Sequence, residues 1–101
     1  MGNKVERRIE IELPSDKAEG TYSNFFLVSH SPSEFVIDFS RLLPGLQKAK
    51  VYARIILTPQ HAKQLLEVLK ENISKYENKF GEIKLHPKEK RIGFTGSEEV
   101  H

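Results

Sequence analysis

The stretch "TPQHAKQLLEVLKENISKYENKFG", residues 58–81, constrains this chain more than any other part of it. Ala62, Leu65, Leu66, Leu69, Ile73, Tyr76 and Phe80 recur at steps of 3, 1, 3, 4, 3 and 4 residues, which winds them into one stripe of a 3.6-period helix. Lys and Glu occupy most of the other faces, with Glu71 and Lys75 in the favourable i,i+4 order. Thr58 is suited to cap the first turn, Pro59 sits where its missing N–H costs nothing, and Gly81 lies where a left-handed cap belongs. The spacing predicts a helix about 33 Å long at ~1.5 Å per residue. A helix of this kind must lay its stripe against something.

Four segments before it carry the period of strands. In "KVERRIEIEL", Val5, Ile9, Ile11 and Leu13 share one face, with Arg7 the exception, and Glu6, Arg8, Glu10 and Glu12 share the other. "PSDKAEG" reads as a loop. "TYSNFFLVSH" is apolar on both faces, Phe25 and Leu27 on one and Tyr22, Phe26 and Val28 on the other. "EFVIDF" sets Phe35, Ile37 and Phe39 against Glu34, Val36 and Asp38. After a turn at Pro44-Gly45, "KVYARIIL" sets Val51, Ala53, Ile55 and Leu57 against Lys50, Tyr52, Arg54 and Ile56.

Short connections favour an antiparallel arrangement. The expected fold is α+β: a four-stranded antiparallel β-meander with one long C-terminal amphipathic helix packed on one face. Residues 1–85 form its single domain. Residues 86–101 form a flexible, partly disordered tail, preceded by a short strand at 83–85. Phe25, Leu27, Phe35, Ile37, Phe39, Val51, Ala53, Ile55 and Leu57 are the expected partners of the helix stripe. That leaves Tyr22, Phe26, Val28, Val36, Tyr52 and Ile56 as an apolar patch on the opposite face, crossed by Asn24, Asp38 and Arg54. One helix cannot cover both faces, so the pattern predicts sheet-to-sheet homodimerisation, with coverage by the C-terminal tail as the alternative.

Composition narrows the function classes. At 101 residues there is room for one modest core, and the absence of cysteine excludes disulfides, thiol catalysis and thiolate metal sites. The net charge of +2 comes from 16 basic and 14 acidic residues that are interspersed, with no block of one sign to act as a nucleic-acid arm or a membrane-binding tail. No apolar run approaches the ~20 residues needed to span a bilayer, and "MGNKVERRIEIEL" lacks a hydrophobic signal core. The expected location is cytoplasmic, with no membrane partner.

The run "GTYSNFFLVSHSPSEFVIDFSRLLPG" through "AKVYARIILTPQHAKQLLEVLKENISKYENKFG" resembles a family of short prokaryotic proteins, domain of unknown function 3467. Its hallmarks here are "SPSEFVIDF" and "VYARIILTPQHAK", and the likeness covers residues 20–83. The resemblance implies a compact one-domain protein with no assigned activity, and it transfers no catalytic residues. In some bacteria genes of this family lie beside those for the large RNA polymerase subunits, so it also implies a transcription-linked protein partner.

Three groups of residues are candidates for chemistry. Ser29, His30, Ser31, Ser33 and Glu34 hold the atoms of a hydrolase, but neighbouring strand residues diverge and no Gly-x-Ser-x-Gly elbow exists, so "SHSPS" reads as a turn. His30 and His61 could meet with Glu34 or Asp38 around a metal, but no His-x-x-x-His or Cys pair raises that above coincidence. Lys50, Tyr52 and Arg54 share a strand face and, with Arg41 and Lys48, make a basic and aromatic platform for single-stranded nucleic acid. An Arg54–Asp38 ion pair is the simpler account of that face. No catalytic residue, metal or cofactor is expected. The reading is a small oligomeric protein-interaction domain without catalytic activity, with nucleic-acid binding as the alternative.

Overall fold

The computed structural model describes residues 8–45 and 47–86. They hold three strands and one long helix: β1 Phe25–His30, β2 Phe35–Arg41, β3 Lys50–Leu57 and α1 Pro59–Phe80, with one 3-10 turn at Ser15–Lys17. The strands form one antiparallel sheet in the order β1-β2-β3, so β1 and β3 are its edges.

The hairpin between β1 and β2 is the "SPSE" turn. The Ser31 backbone N–H donates to the Glu34 carbonyl at 2.9 Å, and the Ser31 hydroxyl accepts from the Ser33 backbone N–H at 3.3 Å. Four loop residues then set His30 opposite Phe35, Val28 opposite Ile37 and Phe26 opposite Phe39. Between β2 and β3 the register runs Phe35–Leu57, Ile37–Ile55 and Phe39–Ala53, then shifts so that Ser40 meets Val51 and Tyr52 is left over as a bulge.

Side chains close the open end of β1. Asn24 acts as a piece of backbone: its Oδ1 accepts from the Leu42 N–H at 2.8 Å, and its Nδ2 donates to the Leu42 carbonyl at 3.1 Å. The Ser23 hydroxyl and the Asn24 N–H both donate to the Ser40 carbonyl, at 2.8 and 3.0 Å. This is why β1 starts at Phe25, although the alternation begins at Tyr22. Amide and hydroxyl groups continue the pairing where the ladder stops.

Helix α1 forms as the stripe predicts. Thr58 stands extended at φ −69° and ψ 160°, and its hydroxyl accepts from the His61 N–H at 3.1 Å. At the other end Gly81 donates to the Glu77 carbonyl at 2.9 Å. Its φ of 105° is positive, but its ψ of 168° is extended and not left-handed helical, so the expected left-handed cap does not form.

Four expectations need correction. There is no fourth strand among the described residues: 8–13 have no regular structure, and Ile11 is 90% exposed. Alternation prepares a segment for a sheet edge, but neither edge takes up residues 8–13; residues 4–7 of the expected strand lie outside the described residues. Residues 83–85 likewise form no strand. The Ile83 N–H is satisfied instead by the Glu77 carboxylate at 2.9 Å.

The helix is not packed on a sheet face. Its closest approach is to β3, the strand it follows, and the stripe residues Leu65 to Phe80 are exposed, Leu66 by 61%. The last correction concerns β1, whose faces are exchanged relative to expectation. Phe26 and Val28 lie with Phe35, Ile37 and Phe39, while Phe25 and Leu27 lie with Val36 and Asp38. Consequently no apolar side chain among the described residues is buried, and the two buried residues are polar, Asp38 and Ser40. The expected tail falls almost entirely at residues 87–101, outside the described residues.

Candidate interaction surface

Residues directly opposite one another in an antiparallel ladder project to the same side, so the register defines both faces of the sheet. The first face consists of three rows: Phe26–Phe39–Ala53, Val28–Ile37–Ile55 and His30–Phe35–Leu57. Phe26 meets Phe39 edge to face with ring centroids 5.9 Å apart, and His30 stacks on Phe35 at 5.3 Å. The centre of this face has no titratable side chain; His30 stands at one end, and alternation brings Arg41, opposite Lys50, to the other. Phe26 and Ile55 remain 44% exposed.

The second face pairs Leu27 with Asp38 and Arg54, and Ser29 with Val36 and Ile56. Across it Arg54 grips Asp38 with two hydrogen bonds, Nε to Oδ1 at 2.7 Å and Nη2 to Oδ2 at 2.9 Å. Those bonds hold the Asp38 carboxyl below its usual range against the opposing effect of burial, and Asp38 in turn raises Arg54. Asp38 is shielded by the sheet, whereas the Arg54 side chain is 63% exposed.

The residues singled out as an interface therefore do not form one patch. Val36, Asp38, Arg54 and Ile56 share the second face, and Phe26 and Val28 belong to the first. Tyr22 and Tyr52 lie elsewhere, at the end of the sheet around Arg41. There the Arg41 guanidinium sits 4.5 Å from the Tyr52 ring centre and 5.9 Å from that of Tyr22, and the Lys50 ammonium is 5.4 Å from Tyr52.

The nucleic-acid set is brought together in part. Arg41, Lys50 and Tyr52 converge, Lys48 is exposed in the connection before β3, and Arg54 is committed to Asp38 on the second face. Tyr22 joins this cluster unannounced by the sequence, because it precedes the strand by several residues. Asn24 and Ser23 were equally illegible, since a side chain that substitutes for backbone leaves no periodic trace.

The helix supplies a third apolar surface. Tyr76 and Phe80 lie side by side at 4.9 Å, and Leu65, Leu66, Leu69 and Ile73 continue the stripe towards Thr58. The structure does not bring the two histidines into one described contact: His30 stacks on Phe35, and His61 is exposed in the first helical turn. Among the described residues, no group of three or more His, Asp or Glu side chains could hold a metal, and no helix is long and apolar enough to cross a membrane.

No curated protein and no solved structure matches the chain. A family model described as "Protein of unknown function (DUF3467)" matches residues 1–85, the whole of the sheet and the helix. The chain belongs to the DUF3467 family.

Proposed function

We propose that this chain is a non-catalytic protein-interaction domain that works as a homo-oligomer, a homodimer in its simplest form. One observation carries the reading: among the described residues a full amphipathic helix and an apolar sheet face coexist with no buried apolar side chain. A chain of about this length normally buries roughly 65% of the surface its unfolded form exposes. Here the apolar surface is organised, not scattered, and it lies on one helix and one three-stranded sheet. Surfaces of that kind mark association.

The reading places the protein in the cytoplasm, where a transcription-linked protein partner of the kind the family implies would be met. Its test is the mass of the full chain by light scattering or sedimentation at micromolar concentration. Two or more copies are expected; the mass of one chain, with native helix content, would end the proposal.

A second reading rests on Arg41, Lys50, Tyr22 and Tyr52, which gather two cations and two rings at one end of the sheet. Single-stranded nucleic acid would exploit such a cluster. The two rings are, however, already faced by Arg41, and Arg54 is neutralised by Asp38, so the protein-interaction reading is preferred. Binding to a labelled single strand at low salt that weakens steeply as salt rises would favour the second reading.

A further inference from the structure

Within the homo-oligomer reading, which this inference rests on and deepens, the open question is what covers the first sheet face. We propose that it is helix α1 of a second copy, exchanged reciprocally, so that each copy's helix lies across the other's Phe26–Ile37–Ile55 face.

The junction between sheet and helix is the first reason. β3 ends at Leu57 and α1 begins at Pro59, leaving Thr58 as the one connecting residue. Strand-to-helix connections that reverse the chain usually take about 2–6 residues. Thr58 is held extended by its own cap hydrogen bond to His61, so the turn that would lay the helix back on its own sheet has nowhere to form. The stripe consequently stays open in the single chain, from Leu65 at 42% exposure to Phe80 at 66%.

Dimensions and charge choose the partner surface. Three strands at about 4.8 Å spacing and ~8 residues at 3.3 Å make a face roughly 14 by 26 Å. A helix with its side chains is about 10–12 Å across and, for 22 residues, about 33 Å long, so one helix covers one such face. Of the two faces, the second carries the Arg54–Asp38 pair at its centre, and an apolar stripe laid over it would strip water from Arg54 without offering a hydrogen bond. The first face presents aliphatic and aromatic groups at its centre, matching a stripe of Leu, Ile, Tyr and Phe.

Size agrees. Taking about 150–250 Å² for a large apolar side chain, the stripe with Phe26 and Ile55 exposes roughly 700 Å² per copy. A stable interface of standard size takes about 800 Å² from each partner. Reciprocal exchange also satisfies the two-fold rule that each copy contributes the same patch. Helix-to-helix pairing would leave both sheet faces of both copies open.

The chain has no cysteine, which makes the test clean. Ile37→Cys and Leu69→Cys are prepared as separate full-length variants, mixed, unfolded and refolded together, then treated with a short bismaleimide. A second pair, Ile55→Cys with Ile73→Cys, guards against one substitution preventing folding, and each variant's mass and helix content are measured first. The expected result is a covalent dimer in the mixtures at several times the yield of any variant treated alone. Self-linking of the helix variants, or no link in either mixture while light scattering still reports a dimer, would overturn the exchange and leave the oligomer reading standing. A monomeric mass for the unmodified chain would remove both.

Discussion

Arg54 and Asp38 face each other across β3 and β2 as a two-pronged ion pair, Nε to Oδ1 and Nη2 to Oδ2 at 2.7 and 2.9 Å. The planar guanidinium matches the carboxylate edge to edge, a fit an ammonium cannot copy. Asp38→Asn is therefore expected to lower the melting temperature by on the order of 5 °C, as hydrogen bonds to charged groups and the size of the domain suggest. Arg54→Lys should recover little of what Arg54→Ala loses. Calorimetry on the three variants decides it, and full rescue by lysine would refute the two-pronged account.

The same pair fixes a pH dependence. Arg54 depresses the Asp38 pKa from its ordinary 3.8, so folding binds the deprotonated form preferentially. The stabilisation is fully present above the unfolded-state value and is lost as pH falls through the lower, folded-state value. The melting temperature of the parent chain should drop in that acid window by more than that of Asp38→Asn, and parallel curves for the two would exclude Asp38 as the group responsible.

If the helix stripe is an interface, a charge at its centre should dissociate the assembly without erasing the helix's own capping. Leu69→Glu is expected to shift the mass to one chain and make unfolding less cooperative, whereas Glu71→Gln, off the stripe, should change neither. Sedimentation of both variants separates an interface effect from a general loss of helix propensity.

The cap at Thr58 makes a smaller, independent prediction. Thr58→Ala removes the acceptor for the His61 N–H and should cost about 1 kcal/mol, while Thr58→Ser should cost much less. Chemical denaturation followed by far-ultraviolet dichroism measures both. Equal losses would mean that the hydroxyl is not acting as the cap.

Asn24 offers the clearest test of what periodicity cannot reveal. Its amide both donates to and accepts from the Leu42 backbone, so Asn24→Asp keeps the acceptor but sets a carboxylate oxygen against the Leu42 carbonyl. A loss of about 1–3 kcal/mol is expected, the cost of leaving a polar group unmatched. Denaturation curves for Asn24→Asp and Asn24→Ala at neutral pH measure it, and an unchanged Asn24→Asp would mean the clamp carries no stability.

Local patterns were legible where a residue's role depends on its near neighbours. The stripe from Ala62 to Phe80, the cap at Thr58, the three strands and the Ser31–Glu34 turn all follow from spacings of a few residues. What escaped depends on distance. Alternation says that Phe26 and Val28 share a side, but which side of β2 they join is set by the number of residues in the turn, and a one-residue difference exchanges the faces. The segment ending at Leu13 alternates as well as β1 does, yet alternation cannot supply a neighbour to pair with. Nor does a helix stripe state whose surface it meets, which is why packing on the chain's own sheet was the natural and incorrect expectation.

The order β1-β2-β3 leaves two outer strands, and they are protected unequally. β3 carries Lys50, Arg54 and the Tyr52 bulge, features that discourage another strand from docking alongside. β1 reads "FFLVSH", with no formal charge and no bulge in its pairing with β2. An apolar edge strand of this kind is where strand-on-strand aggregation is expected to start. Purification at high concentration in acid, where stability falls, is the condition most apt to seed aggregates from it.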